Sequence, residues 1–151
     1  MKKENKISTL YVVIPCYNEE EVLEETTKQL KKKIEKLIKD KKISGKSKVM
    51  YVNDGSKDNT WSLIKKINEK EPLFTGITLS RNRGHQNALL AGLMTAKKYS
   101  DVVISMDADL QDDINAMDEM IEKRRNGADV VYGVRNSRKK DSFFKRTTAQ
   151  G

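Results

Sequence analysis

Val102-Val103-Ile104-Ser105-Met106 runs directly into Asp107-Ala108-Asp109-Leu110-Gln111, a mostly apolar stretch that ends in two carboxylates one residue apart. A run of this length, too short for a helix and closed by polar residues, reads as a buried strand followed by a turn. The same arrangement recurs along the chain. Leu10–Ile14 precedes Pro15-Cys16-Tyr17-Asn18-Glu19, Val49–Asn53 leads into Asp54-Gly55-Ser56, Phe74–Leu79 leads to Arg81-Asn82-Arg83-Gly84-His85, and Val130–Val134 ends at Arg135.

The segments between these runs have a helical period. Val22, Leu23, Leu30, Ile34, Leu37 and Ile38 form one apolar stripe on an otherwise charged helix. Ser44-Gly45-Lys46-Ser47 then turns the chain into the second strand. A second helix is predicted over 58–68 with Trp61, Ile64 and Ile67 inward, ending before Pro72. The third, over 86–98, is so rich in small and apolar residues that it is expected to pack on more than one side. The fourth, over 114–125, places Met117, Met120 and Ile121 inward and stops at Asn126-Gly127. Strands alternating with helices imply an α/β domain with a mainly parallel sheet. The 151 residues suit one such domain, 1–151, with no repeat or linker to divide it. In an open parallel sheet the ligand site lies outside the carboxyl ends of the strands, so all five polar clusters fall on the edge where a site belongs. Each cluster taken alone also has an ordinary reading, because strands must end in turn residues.

Composition narrows the function classes. Lys and Arg number 30 against 22 Asp and Glu, a net charge of +8, which points to anionic partners. Much of that excess lies in Lys28–Lys48, read as a solvated helix face, and in Arg135–Arg146. Cys16 is the only cysteine, so neither an intramolecular disulfide nor a cysteine-based zinc site is available, and a reducing, cytoplasmic setting is expected. No stretch approaches the roughly 20 apolar residues that span a bilayer. Neither G-x-G-x-x-G nor G-x-x-x-x-G-K-[ST] is present, which argues against a dinucleotide dehydrogenase and a P-loop NTPase.

Asp107 and Asp109 repel each other when both are ionised, and a hard divalent cation such as Mg²⁺ or Mn²⁺ removes that cost while also holding phosphate. Gln111 adds a neutral oxygen nearby, whereas Asp112-Asp113 read as helix caps. In Asn53-Asp54-Gly55-Ser56-x-Asp58-x-Thr60, Gly55 permits a positive-φ turn and Ser56 or Asp58 can cap the next helix. That capping reading leaves Asp54 idle, and an Asp at this place can read the N–H edge of a nucleotide base.

In order and spacing, Val13-Ile14-Pro15-x-Tyr17-Asn18-Glu19-Glu20, Val52-Asn53-Asp54-Gly55-Ser56-x-Asp58-x-Thr60, Ser80-Arg81-Asn82-x-Gly84 and Asp107-Ala108-Asp109-Leu110-Gln111-Asp112 resemble the family-2 inverting glycosyltransferases. The likeness is closer to the polyprenyl-phosphate branch, with dolichol-phosphate mannose synthase and bactoprenol glucosyltransferases, and covers about residues 8 to 146. It implies a GT-A-type, Rossmann-like three-layer sandwich, a nucleotide-diphosphate sugar donor and Mg²⁺ or Mn²⁺. By that likeness Pro15, Tyr17, Asn18 and Glu19 line the nucleoside pocket, with Asp54 on the base and Gly55 and Ser56 beside it. Arg81, Asn82 and Gly84 match a further motif of the donor site. Asp107, Ala108 and Asp109 meet the diphosphate, and Asp107, Asp109 and Gln111 surround the metal. Arg135 and Arg138 belong to the loop that meets acceptor or donor phosphates, so Asp107, Asp109 and Arg135 form the catalytic set. His85 reads as a helix-start residue. Asn53 and Asp113 depart from the Asp and Pro common in relatives.

The resemblance also implies hexose transfer with inversion to a polyprenyl phosphate, UDP-glucose ranking ahead of GDP-mannose as donor. A lipid phosphate is already anionic at neutral pH, so no catalytic base is needed. Relatives of this branch continue beyond the acceptor loop, so the chain reads as truncated at its C-terminus, with 135–151 the start of that loop and of an interfacial segment carrying Phe143 and Phe144. Further expected partners are an anionic membrane surface and a second copy of the chain, not nucleic acid, the full-length protein sitting at the cytoplasmic face of the membrane. A nucleotidyltransferase would need a basic, glycine-rich loop where Pro15–Glu20 is acidic and lacks glycine. The non-catalytic alternative is a truncated nucleotide-binding or interaction module without turnover.

Overall fold

A computed structural model describes residues 7–109 and 114–125 of the chain. Within them strands and helices alternate: β1 (Leu10–Cys16), α1 (Leu23–Lys39), β2 (Lys48–Asn53), α2 (Thr60–Lys70), β3 (Phe74–Thr78), α3 (His85–Ala96), β4 (Val102–Ser105) and α4 (Ala116–Arg125). The four strands form one parallel sheet in the order β3-β2-β1-β4. The expected fifth strand, Val130–Val134, lies outside the described residues.

Side-chain alternation along β1 sorts the core into two parts. Leu10, Val12, Ile14 and Cys16 face a large cluster with Leu30, Ile34 and Leu37 of α1, Ile64 of α2 and Met117 and Ile121 of α4. Tyr11 and Val13 face a smaller one, shared with Met50 and Val52 of β2 and Ala88 and Ala96 of α3. Helices therefore cover both sides of the sheet, and the three-layer sandwich expected from the sequence is the architecture found. The apolar stripe of α1 forms as expected, with Thr26 and Thr27 buried among its aliphatic residues. Thr27 shares a 2.7 Å hydrogen bond with the Tyr51 hydroxyl, which satisfies both groups inside the core.

The expectation that α3 packs on more than one side is corrected. Its buried residues are the small ones, Ala88, Gly92 and Ala96, whereas Leu90 and Met94 are each 55% exposed. The spacing of four aligns the small residues on one face, and that face lies close against the sheet. A Cβ at Gly92 would stand 2.5 Å from Cγ1 of Val13 and 2.7 Å from Cγ2 of Val52, so the close approach requires glycine.

The strand order reverses at β1, because β2 and β3 lie on one side of it and β4 on the other. Pairing of β1 with β2 runs to Cys16↔Asn53, but pairing with β4 stops at Val13↔Ser105. Proline has no N–H to offer a neighbouring strand, and Pro15 lies two residues beyond Val13, whose carbonyl takes the last bond from the β4 side, the Met106 N–H at 3.1 Å. The strands part just where Asp107 begins. An opening at such a reversal point is where open α/β sheets bind ligands.

Candidate functional site

Three loops meet at the carboxyl edge, and their polar side chains bind them to one another. The loop after β1 and the loop after β2 are joined by five hydrogen bonds between residues 38 to 41 positions apart. The Asn18 N–H donates to Ser56 Oγ at 2.9 Å and the Lys57 N–H to Asn18 Oδ1 at 2.8 Å. The Glu19 N–H donates to Thr60 Oγ1 at 2.9 Å, the Glu20 N–H to Asp58 Oδ2 at 3.3 Å, and the Asn59 N–H to Glu20 Oε1 at 3.0 Å. Asn18 has a φ of 54°, a left-handed conformation that asparagine tolerates better than most residues.

These bonds decide between the two capping residues that the sequence offers, Ser56 and Asp58. Ser56 does not cap α2; it accepts from the first loop, and Asn59 at the helix start makes no side-chain cap. Asp58 holds the Thr60 N–H at 2.9 Å and bridges back to the first loop. Partial burial works against ionisation of Asp58, but bonds from the Thr60 hydroxyl and from the Thr60 and Glu20 amides outweigh it and lower its pKa. Asn53 is 4% exposed; its Nδ2 donates to Thr78 Oγ1 and its Oδ1 accepts from the Ser56 N–H.

Asp54 is not idle either. It is 3% exposed, and its carboxylate accepts from the Arg83 N–H at 2.7 Å, the Gly84 N–H at 3.2 Å and Asn82 Nδ2 at 3.1 Å. Beside it Gly55, at φ 66°, lies so close to the backbone of Arg81 and Asn82 that a Cβ would fall 2.2 Å from the Asn82 nitrogen.

The fourth cluster joins from β4. Asp107 is half-buried and Asp109 exposed, with Ala108 between them buried. Burial, and then the charges of Asp109, Asp107 and Asp58, push the Glu19 carboxyl above its ordinary range, so the first loop and the β4 loop share one negative field. Sequence reasoning missed the residue that holds this loop from below. The buried Thr26 hydroxyl of α1 donates to the Ala108 carbonyl. Its signal was a threonine on the apolar stripe of an amphipathic helix, where a hydroxyl needs a partner.

Several other expected residues border these loops. Pro15 is buried within β1, Tyr17 is 40% exposed at its end, and Arg81 is exposed. His85 opens α3, as expected of a helix-start residue. Gln111, Arg135, Arg138, Phe143 and Phe144 lie outside the described residues. Residues 11–150 match glycosyl transferase family 2. The chain belongs to that family. It is 52% identical, over its whole length, to an uncharacterised glycosyltransferase of Bacillus subtilis, YkoT, of which it covers 44%. It is 37% identical over 139 residues, 92% of the chain, to a prophage bactoprenol glucosyl transferase homolog of Escherichia coli, covering 43% of that protein. The family 2 chain thus spans less than half the length of these relatives. Among solved structures, the mannosyltransferase PcManGT of Pyrobaculum calidifontis, in complex with GDP-Man and Mn²⁺, superposes with a TM-score of 0.64 over 88% of this chain and 38% of its own, at 24% identity. That likeness establishes the GT-A fold for the family 2 chain.

Proposed function

We propose that this chain is the donor-binding part of an enzyme that transfers a hexose, with inversion, from a nucleotide-diphosphate sugar to a polyprenyl phosphate. The observation that carries the reading is the opening between β1 and β4, where the Tyr17–Glu19 loop and Asp107-Ala108-Asp109 come together. Relatives named bactoprenol glucosyl transferase support a bactoprenol-type lipid acceptor and a glucosyl donor, which is why this reading ranks UDP-glucose first. PcManGT, seen with GDP-Man, keeps GDP-mannose second.

The donor set fits a hard cation. Asp107 and Asp109 offer only oxygen, and among the described residues no three His, Cys, Asp or Glu side chains converge into a ready-made cage. Such a pair suits Mg²⁺ or Mn²⁺, which keep several ligands for phosphate and water. Asp107 and Asp109, with Gln111, would hold it, and when bound it supplies Lewis-acid compensation of the diphosphate as the sugar bond breaks. The chain's own part is positioning. Tyr17, Asn18 and Glu19 form the nucleoside wall, tied to Ser56 and Thr60; Thr26 steadies the backbone between the two Asp residues. Arg135 and Arg138 would add positive charge at the phosphates. The anionic acceptor oxygen attacks the anomeric carbon as its bond to the diphosphate breaks, and no proton has to be removed first. In this reading the lipid is met at the surface of the cytoplasmic leaflet. Among the described residues no helix is long and apolar enough to cross a membrane.

The test is metal-linked binding. UDP or GDP should raise the melting temperature more with Mn²⁺ than with EDTA, and Asp109→Ala should lose the metal-dependent part. Equal shifts in both conditions would remove the metal from the site. Turnover with donor and polyprenyl phosphate then separates an enzyme from a module that binds nucleotide and goes no further.

A further inference from the structure

We infer that Asp58 is a positioning residue for the nucleoside wall, which sets the Glu19 and Glu20 backbone from the neighbouring loop, in part through the Thr60 hydroxyl. This deepens the proposed function and rests on it. Thr60 is fully buried at the start of α2, and its hydroxyl has one proton to give. That proton goes to Asp58 Oδ1. With the proton committed, the lone pairs of the same oxygen are left for the Glu19 N–H, which it accepts at 2.9 Å. Asp58 therefore governs a bond in which it takes no direct part. Its second oxygen, Oδ2, accepts from the Glu20 N–H at 3.3 Å, so two successive amides of the loop after β1 depend on one carboxylate.

A carboxylate suits this task because it offers acceptors only, and its charge strengthens each bond. Oδ1 takes both the Thr60 hydroxyl and the Thr60 N–H, while Oδ2 serves the first loop. A side-chain amide in its place would turn an NH₂ either toward the Glu20 N–H or toward Thr60, and one of the bonds would fail. The anchor is firm, because Thr60 begins α2, whose Ile64 and Ile67 are buried in the larger core cluster. The stretch it holds has little packing of its own: Tyr17 and Asn18 are exposed, and Asn18 stands at φ 54°. The carboxyl of Glu19, on that same stretch, lies in the field of Asp109 and Asp107. Fixing the Glu19 amide thereby sets the wall relative to the two Asp residues.

Amide hydrogen exchange and nucleotide titration on the chain, as wild type, Asp58→Ala, Thr60→Val, Thr60→Ser and the Asp58→Ala/Thr60→Val double variant, test the inference. Asp58 is partly exposed, so Asp58→Ala is expected to fold even if Thr60→Val does not. Thr60→Val should accelerate exchange at Glu19 about tenfold and spare Glu20, whereas Asp58→Ala should accelerate both by about that factor. Affinity for UDP and GDP should fall about tenfold in either variant, with the double variant little worse than the singles. Thr60→Ser, which keeps the hydroxyl, should retain wild-type exchange and affinity. Wild-type protection of Glu19 in Asp58→Ala would break the relay, and faster exchange with full nucleotide affinity would confine it to the fold; either result overturns the inference, as would additive losses in the double variant. If the wild type binds no nucleotide at all, the proposed function falls, whereas exchange at Glu19 in Asp58→Ala still decides whether Asp58 sets this loop.

Discussion

The two faces of the sheet are built on different terms. One is covered by α1, α2 and α4 through large aliphatic side chains, Leu30, Ile34 and Ile64 among them. The other is covered by α3 through Ala88, Gly92 and Ala96, with its larger residues Leu90 and Met94 turned outward. The first gains stability from apolar area, and the second brings a helix backbone near the strands. The site follows the same division, because α3 begins at the end of the Arg81–Gly84 loop. A helix seated closely on β1 and β2 gives that loop a fixed root. The first face therefore carries most of the stability, and the second carries geometry.

A pair of substitutions can break this comparison. Ile34→Ala, at a fully buried position on the aliphatic face, should cost about 2–5 kcal/mol in denaturant unfolding, with nucleotide affinity of the folded protein unchanged. Gly92→Ala forces a methyl against Val13 and Val52 and should cost about 1–3 kcal/mol by overpacking, less about 1 kcal/mol gained from helix propensity. Its mark should be a fall in nucleotide affinity disproportionate to its small stability loss, since α3 moves and takes the loop with it. If Gly92→Ala only destabilises, the thin face carries no geometry for the site.

The next effect is smaller and lies on the aliphatic face, where that face also reaches the site. Thr26→Val keeps the shape but removes the donor to the buried Ala108 carbonyl, and should cost about 1 kcal/mol. It should also weaken the Mn²⁺-dependent part of nucleotide binding, read by calorimetry, while Thr26→Ser keeps both. A Thr26→Val protein with wild-type metal dependence would confine Thr26 to a structural role.

The parts of this division that depend on periodicity were legible in the sequence. The aliphatic stripe of α1 and the alternation of β1 mark their buried faces, and all four described strands were found within two residues of their predicted ends. The four polar clusters that follow described strands were also placed on one edge, since strand direction alone puts them there. The contacts among the clusters were not legible. Ser56 looked like a helix cap because capping is a local pattern, whereas its bond to Asn18 depends on β1 and β2 standing in one particular register, 38 residues apart. The partners of Asp54 were hidden for the same reason, as they lie 28 to 30 residues downstream. The packing of α3 on more than one side was expected because Ala, Leu and Met count alike as apolar, and only the spacing of Ala88, Gly92 and Ala96 shows which face comes close.

The smallest expected effect tests the outer side of α3. Leu90 and Met94 keep about half of their surface in water, so replacing them forfeits only part of the usual burial energy. Leu90→Gln with Met94→Gln removes the apolar character at nearly constant helix propensity, which separates burial from helix formation. The double variant should stay within about 0.5 kcal/mol of the wild type in urea unfolding, as ordinary surface substitutions do. Sedimentation velocity on the same samples adds an independent readout, because an apolar strip of this kind is also a place where a second copy can seat. Equal sedimentation and equal stability leave the strip as the outer face of a helix whose work is done on its small-residue side. A loss of 2 kcal/mol or more, or an oligomer that dissociates on substitution, would mean that α3 is packed on both sides after all, and the contrast between a thick and a thin face would not survive.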